Sequence, residues 1–186
     1  MFVLSVNLLS CKFMIRKFFL ILYYGLAYYL PDSYLPIVGP FSNFIRILCV
    51  KHIFKKCGII RTINRKAYFG NGIDCEIGDF SSIGANCNIP NNTFIGNNVL
   101  MAPDIHIVKN NHEFKDVTKP IGAQGPRYSP PTIIEDDCWI GIRCLFTPGH
   151  KIGKGSIIGA GSVVTKDVES FSIVAGNPAR LIKKRV

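Results

Sequence analysis

The sequence predicts an all-β solenoid, a parallel β-helix of six-residue repeats behind a helical N-terminal segment, on three observations. The composition changes near residue 62, where apolar and aromatic runs with scattered Lys and Arg give way to short Ile- or Val-led units separated by Gly, Asn and Asp. Beyond that point Ile77, Ile83, Ile89, Ile95, Met101 and Ile107 recur every six residues; after an interruption Ile134, Ile140, Phe146, Ile152, Ile158 and Val164 resume the period. Four positions after most of these lies a second periodic slot, held by Ser81, Cys87, Thr93, Val99, Cys138, Cys144, Ser156 and Ser162, with Cys75 one unit upstream.

A six-residue unit is too short for a helix pair or a propeller blade, but it suits one short strand and a tight turn. Such units stack into coils, each burying its apolar residue against the coil above. Full burial of an Ile contributes roughly 1.5–3 kcal/mol, so the ladder of twelve supplies most of the fold's stability. Gly and Asn between the strands provide the positive φ of the turns.

The first element, residues 1–62, is a separate architecture. "FFLILYYGLAYYL", residues 18–30, follows Lys12, Arg16 and Lys17 as in a signal peptide, but no small-x-small cleavage site comes after it. Its length also falls short of the ~20 residues a bilayer span requires. "FSNFIRILCVKHIFKKCG", residues 41–58, reads as an amphipathic helix capped by Ser42, with Phe44, Ile45, Leu48 and Ile53 as its stripe and Gly58 as its end. Two roles fit it: a cap over the open first coil, or docking on a membrane surface through Arg46, Lys51, Lys55 and Lys56. The second element, 63–186, is the β-helix, with an insertion at 108–132 and a tail at 170–186 expected to hold a short helix.

A chain of 186 residues, 48% apolar, has room for one core. Its 22 Lys+Arg against 12 Asp+Glu, net +10, point to an anionic partner. Nucleic acid is disfavoured, since no recognition module occurs. Seven cysteines without a C-x-x-C spacing, four of them in the small inward slot, read as reduced core thiols of a cytoplasmic protein, with no metal.

"APDIHIVKNNHEF", "IEDDCWIG", "IGKGSIIGAGSVVTKDV" and "VAGNPARLIKK" together resemble the hexapeptide-repeat acetyltransferases, in the galactoside, maltose and capsular-sugar O-acetyltransferase group. "LPDSY" and the basic helix after it resemble the polysaccharide-biosynthesis branch, which suggests the inner face of the membrane as a place of action. The resemblance implies a left-handed β-helix and a homotrimer that binds acetyl-CoA between neighbouring subunits. It implies no metal.

The insertion begins where that family's catalytic histidine falls, which makes His112 the candidate general base. A hydroxyl is a poor nucleophile until a base takes its proton, and an imidazole, titrating near neutral pH, suits that task. By the resemblance Ala160, Thr165 and Lys166 contact the pantetheine and nucleotide end of acetyl-CoA, Arg180 and Lys183 reach its phosphates, and Trp139 flanks the cleft. Ile142 stands where the family carries a small residue, so contact there is expected through the backbone. Asn86, Asn88, Asn91, Asn92 and His106 are candidates for the acceptor end. His150, in "TPGHKIG", replaces a small apolar residue and has no assigned role; His52 reads as structural.

The acceptor expected is a sugar hydroxyl in a surface glycan or its precursor, with serine, a free small sugar or an antibiotic hydroxyl as alternatives. Two other classes fit less well. A zinc carbonic anhydrase of the gamma type needs three converging histidines, a spacing that His106, His112 and His150 lack. A non-catalytic solenoid leaves the donor motifs unexplained.

Overall fold

The computed structural model describes residues 2–185, with side chains from Lys12 onward. The six-residue period builds a three-sided prism. One face stacks the strands Lys56–Cys57, Glu76–Ile77, Thr93–Ile95, Thr132–Ile134 and Lys151–Ile152; the second stacks Thr62–Ile63, Ser82–Ile83, Leu100–Met101, Trp139–Ile140, Ile157–Ile158 and Ser172–Ala175. The third carries His106–Ile107, Leu145–Phe146 and Val163–Val164. Pairing within each of these stacks is parallel, and Ser82 meets Leu100 just as Trp139 meets Ile157, three repeats on. Each coil therefore takes one strand from each face.

All twelve residues of the apolar ladder are at most 4% exposed, and the second slot is equally buried. The slot's chemistry has a cause. Its side chains reach a backbone carbonyl one coil along: Ser81 Oγ donates to Gly96 O at 2.7 Å, Cys87 Sγ to Ala102 O at 3.3 Å, Cys144 Sγ to Gly159 O at 3.1 Å. Small donors at these corners give the turn carbonyls a partner inside the coil, whereas Val99 fills the same slot by packing alone. The corners also need close backbone approach, since a Cβ on Gly84 would stand 2.3 Å from Ala102 O. Positive φ is taken by Asn86, Asn92 and Asn98 as expected, but also by Lys66, Phe80, Arg143 and Phe171.

Two helices, α1 (Phe2–Gly25) and α2 (Val38–Ile53), pack on each other and on the first coil. Tyr23 is fully buried against the Phe69 ring, its hydroxyl donating to Ala67 O at 2.6 Å, while Tyr24 donates to Gly70 O. Asn43 binds the backbone of Arg61 and Ile63. The arrangement closes the start of the solenoid. No described helix is long and apolar enough to cross a membrane.

Four expectations for these segments are corrected. The helix starts at Val38 and Ser42 lies inside it, its hydroxyl donating back to Val38 O, so Ser42 is not a cap; the helix ends at Ile53, and Gly58 follows a strand. The buried stripe is Ser42, Arg46, Cys49, Val50 and Ile53, and Phe44 faces outward. Arg46 is no surface cation: it is fully buried and donates to Ala27 O, Leu30 O, Pro31 O and Ser33 Oγ. Finally, the C-terminal tail is a hairpin and not a short helix. Arg180–Lys184 runs antiparallel to Ser172–Ala175, because the sheet edge offers unpaired backbone groups that a solvated helix would leave open.

Candidate active site

The third face and its two edges carry most of the candidate residues. Tyr68, Asn88 and His106 form a column on this face, bridged in parallel, and Leu145 and Val163 continue it. Asn88 Nδ2 lies 3.4 Å from both ring nitrogens of His106. Asn86, by contrast, is a corner residue at φ 57° bonded to Asp104, and Asn91 donates to Asn71. Asn92 occupies a turn at φ 71°. Asn88 and His106 pair directly, while Asn91 and Asn92 line a small pocket beside Val108, Lys109 and Pro130.

The insertion leaves the third face after Ile107 and returns to the first face at Thr132. It is ordered by its own bonds: Asn111–His112 pairs antiparallel with Pro126–Arg127, and Gln124 binds the backbone of Asp116 and Lys119. Asp116 is held below the usual carboxylate range by Thr118 and Lys119. His112 sits at the base of this hairpin, exposed, with no hydrogen-bond partner for its ring among the described residues.

The turns at the same edge, one and two coils on, are residues 147–150 and 165–168. Coils stack at about 4.8 Å, so the Thr165–Lys166 turn lies roughly 10 Å along the axis from the insertion's stem. Thr165, Lys166 and Arg180 line one pocket of about 260 Å³, together with Val164, Val174, Leu181 and the acids Asp167 and Glu169. Among the described residues, Lys166, Arg180 and Lys183 pair with no carboxylate, whereas Lys184 is bound to Glu169 and Arg185 to Asp137 and Gly155 O. Lys183 stands on the hairpin strand opposite Ile173.

Ile142 and Ala160 lie on the far edge of the third face, and Trp139 on the second face next to that edge. Gly161 N donates to Ile142 O, stacking Ile142 on the Ala160 corner, and a Cβ on Gly141 would meet Ala160 N at 2.6 Å. The Ile142 side chain is exposed, so it presents atoms of its own beside the backbone. Trp139 projects from the second face, 53% exposed, between Leu100 and Ile157. One chain thus divides the donor candidates between two edges.

His150 has a place the sequence did not supply. Its Nε2 is 2.8 Å from Thr147 Oγ1 and its Nδ1 3.4 Å from Asp167 Oδ1, which also accepts from Lys151 N. Gly149 beside it packs on Pro130, where a Cβ would stand 2.8 Å from the ring. These contacts tie the end of the insertion to the Thr165–Lys166 turn. The coil period gives a hint of this, since His150 and Asp167 are nearly one turn apart. A cavity of about 490 Å³ on the first face, beside Phe94 and Glu135, holds none of the donor or acceptor candidates.

Residues 131–166 match the family described as bacterial transferase hexapeptide (six repeats). The chain is 34% identical over 137 residues to a galactoside O-acetyltransferase of Escherichia coli (strain K12), covering 73% of this chain and 66% of that protein. The matches to the next curated relatives span less than half of their lengths. Among solved structures it is similar to a maltose O-acetyltransferase of Clostridium difficile 630, with a TM-score of 0.64, 26% identity and coverage of 94% and 88% of the two chains. It is also similar to a hexapeptide-repeat acetyltransferase of Vibrio cholerae O1 biovar eltor complexed with acetyl coenzyme A, with a TM-score of 0.55, 25% identity and 75% coverage of each. These likenesses imply a left-handed hand for the β-helix. With the twelve-rung ladder and the ordered motifs, they show that the chain belongs to the hexapeptide-repeat acetyltransferase family, in its galactoside and maltose O-acetyltransferase group.

Proposed function

We propose that this protein transfers the acetyl group of acetyl-CoA to a hydroxyl of a sugar, in a homotrimer whose clefts lie between subunits. The observation that carries the reading is the pocket of Thr165, Lys166 and Arg180 at the edge where the His112 hairpin emerges. Asp167 and Glu169 also line it, but they bind His150, Lys151 N and Lys184, which leaves Lys166 and Arg180 without a salt bridge among the described residues and able to meet anionic phosphates. The separation of Trp139, Ile142 and Ala160 from that pocket supports a shared cleft, each edge of one chain facing the opposite edge of its neighbour.

In the proposed reaction an imidazole nitrogen of His112 takes the proton of the sugar hydroxyl as its oxygen attacks the thioester carbonyl. The new C–O bond forms, the carbonyl becomes a tetrahedral oxyanion, and the C–S bond breaks on its collapse. The proton held on the imidazole passes to the departing thiolate. Such a base contributes about 10²–10⁴-fold. Asn88 and His106, paired beside the insertion, orient the acceptor. A glycan or its precursor is the acceptor class in this reading.

Release of free thiol from acetyl-CoA, measured against galactosides, maltose, oligosaccharides, serine and chloramphenicol, tests the proposal. Turnover with a sugar supports it; turnover only with serine or the antibiotic would move the acceptor, and no turnover with any hydroxyl would overturn it. His112→Ala should lower turnover at least about 10²-fold with acetyl-CoA affinity nearly unchanged.

A further inference from the structure

The distribution of charge separates the N-terminal unit from the rest of the chain. Residues 1–66 hold ten Lys and Arg against one Asp, net +9, while residues 67–186 hold twelve against eleven acids, net +1. The donor pocket therefore lies in a nearly neutral solenoid, and the basic excess belongs to the helices and first coil. Some of it is internally committed: Arg46 is buried, Arg16 donates to Asn71 O, and Lys55 pairs with Glu76. Arg65 lies 3.9 Å from Asp32, and Lys12, Lys17, Lys51, Lys56, Arg61 and Lys66 remain exposed.

The same unit leaves large apolar side chains uncovered. Phe13, Phe18 and Ile21 on α1, and Ile37, Phe41 and Phe44 around the start of α2, are each more than half exposed, Ile37 at 92%. Lys17 Nζ stands 4.4 Å above the Phe13 ring, so cation and apolar surface are adjacent. Six large apolar side chains exposed on one pair of packed helices call for a partner. A second copy of this unit would bring nine like charges against nine, whereas an anionic bilayer complements both the charge and the apolar side chains.

We infer that the N-terminal helical unit docks the protein peripherally on anionic membrane surfaces, with Phe18, Ile21, Phe41 and Phe44 entering the interface and Lys12 and Lys17 meeting lipid phosphates. The surface differs from the one suggested by the α2 cations, two of which face inward or pair with an acid. Docking does not depend on the chemistry of acetyl transfer. It would hold a soluble catalytic solenoid beside acceptors built on lipid carriers.

Sedimentation of the full chain with vesicles of phosphatidylcholine alone, and of equimolar phosphatidylcholine and phosphatidylglycerol, tests it. Binding should be at least about tenfold tighter to the anionic vesicles, each surface lysine contributing about fivefold. The pair Lys12→Glu and Lys17→Glu, and the pair Phe41→Ser and Phe44→Ser, should each weaken it at least about tenfold, with unchanged circular dichroism and unchanged mass by light scattering. Equal binding to both vesicles, no binding, or binding untouched by the variants would overturn the inference. So would a change of oligomeric mass in the serine variants, which would make the face a protein interface.

Discussion

Replacing Arg46 by methionine should destabilise the protein strongly although no catalytic group is near. The guanidinium is fully buried, with Nε 2.9 Å from Ala27 O, Nη1 3.0 Å from Ser33 Oγ, Nη2 2.7 Å from Pro31 O and also bonded to Leu30 O. Burial lowers its pKa, yet arginine stays ionised, so these are charged hydrogen bonds. Taken singly they are worth roughly 1.5–3 kcal/mol each. Their sum overstates the loss, because methionine also removes the cost of holding an ion away from water. What remains is the desolvation of acceptors in the connection from Ala27 to Ser33, about 2–4 kcal/mol. For a chain of this size 1 kcal/mol shifts the melting temperature by about 2–4 °C, so Arg46→Met should lower it by roughly 5–15 °C. Thermal unfolding followed by far-ultraviolet circular dichroism measures this. A melting temperature within about 2 °C of the parent's would refute the account of Arg46 as the pin of the helical unit.

Lys166→Ala and Arg180→Ala should each raise KM for acetyl-CoA about tenfold with kcat within about twofold, since phosphate contacts are equal in ground and transition states; steady-state kinetics decide it. Ile140→Ala, in a fully buried rung, should cost about 2–5 kcal/mol in denaturant unfolding. Cys57, Cys75, Cys87 and Cys138 are pushed up to about 11–12 by burial, so iodoacetamide at pH 8 should leave them unmodified in the folded protein and label them in urea. Because the folded thiols hold their protons to higher pH than the unfolded ones, the protein should lose stability as pH rises from about 9 towards 11, where the unfolded chain binds fewer protons.

The solenoid was legible because its stabilising contacts repeat. A side chain that points inward at Ile77 does so again six residues later, so one period read from the chain gives the buried ladder and, four positions on, the slot where Ser81 and Cys87 reach carbonyls of the next coil. Arg46 was not legible for the opposite reason. An arginine on an apolar helix face reads as solvent-facing, and its acceptors lie in a connection whose approach no local pattern encodes. The same limit hid the C-terminal hairpin: "RLIKK" has ample helix propensity, but the strand Ser172–Ala175 offers it an open edge, and tertiary pairing outweighs propensity.

The charge was visible in the sequence, yet summed over the chain it misled. A net +10 suggests a cationic enzyme drawn to the phosphates of its donor, but residues 67–186, which hold the candidate pocket, carry only +1. Under the proposed function, donor recognition at the candidate pocket would rest on Lys166 and Arg180 as local contacts and not on a long-range field. The field belongs to the helical unit, where Lys12 and Lys17 stand among exposed Phe13 and Phe18. Salt should therefore act on the two functions differently. Vesicle binding, which sums several cations over a flat anionic surface, should fall steeply as the Debye length contracts from about 30 Å near 0.01 M to about 3 Å near 1 M. KM for acetyl-CoA, set by short contacts in a pocket, should change far less.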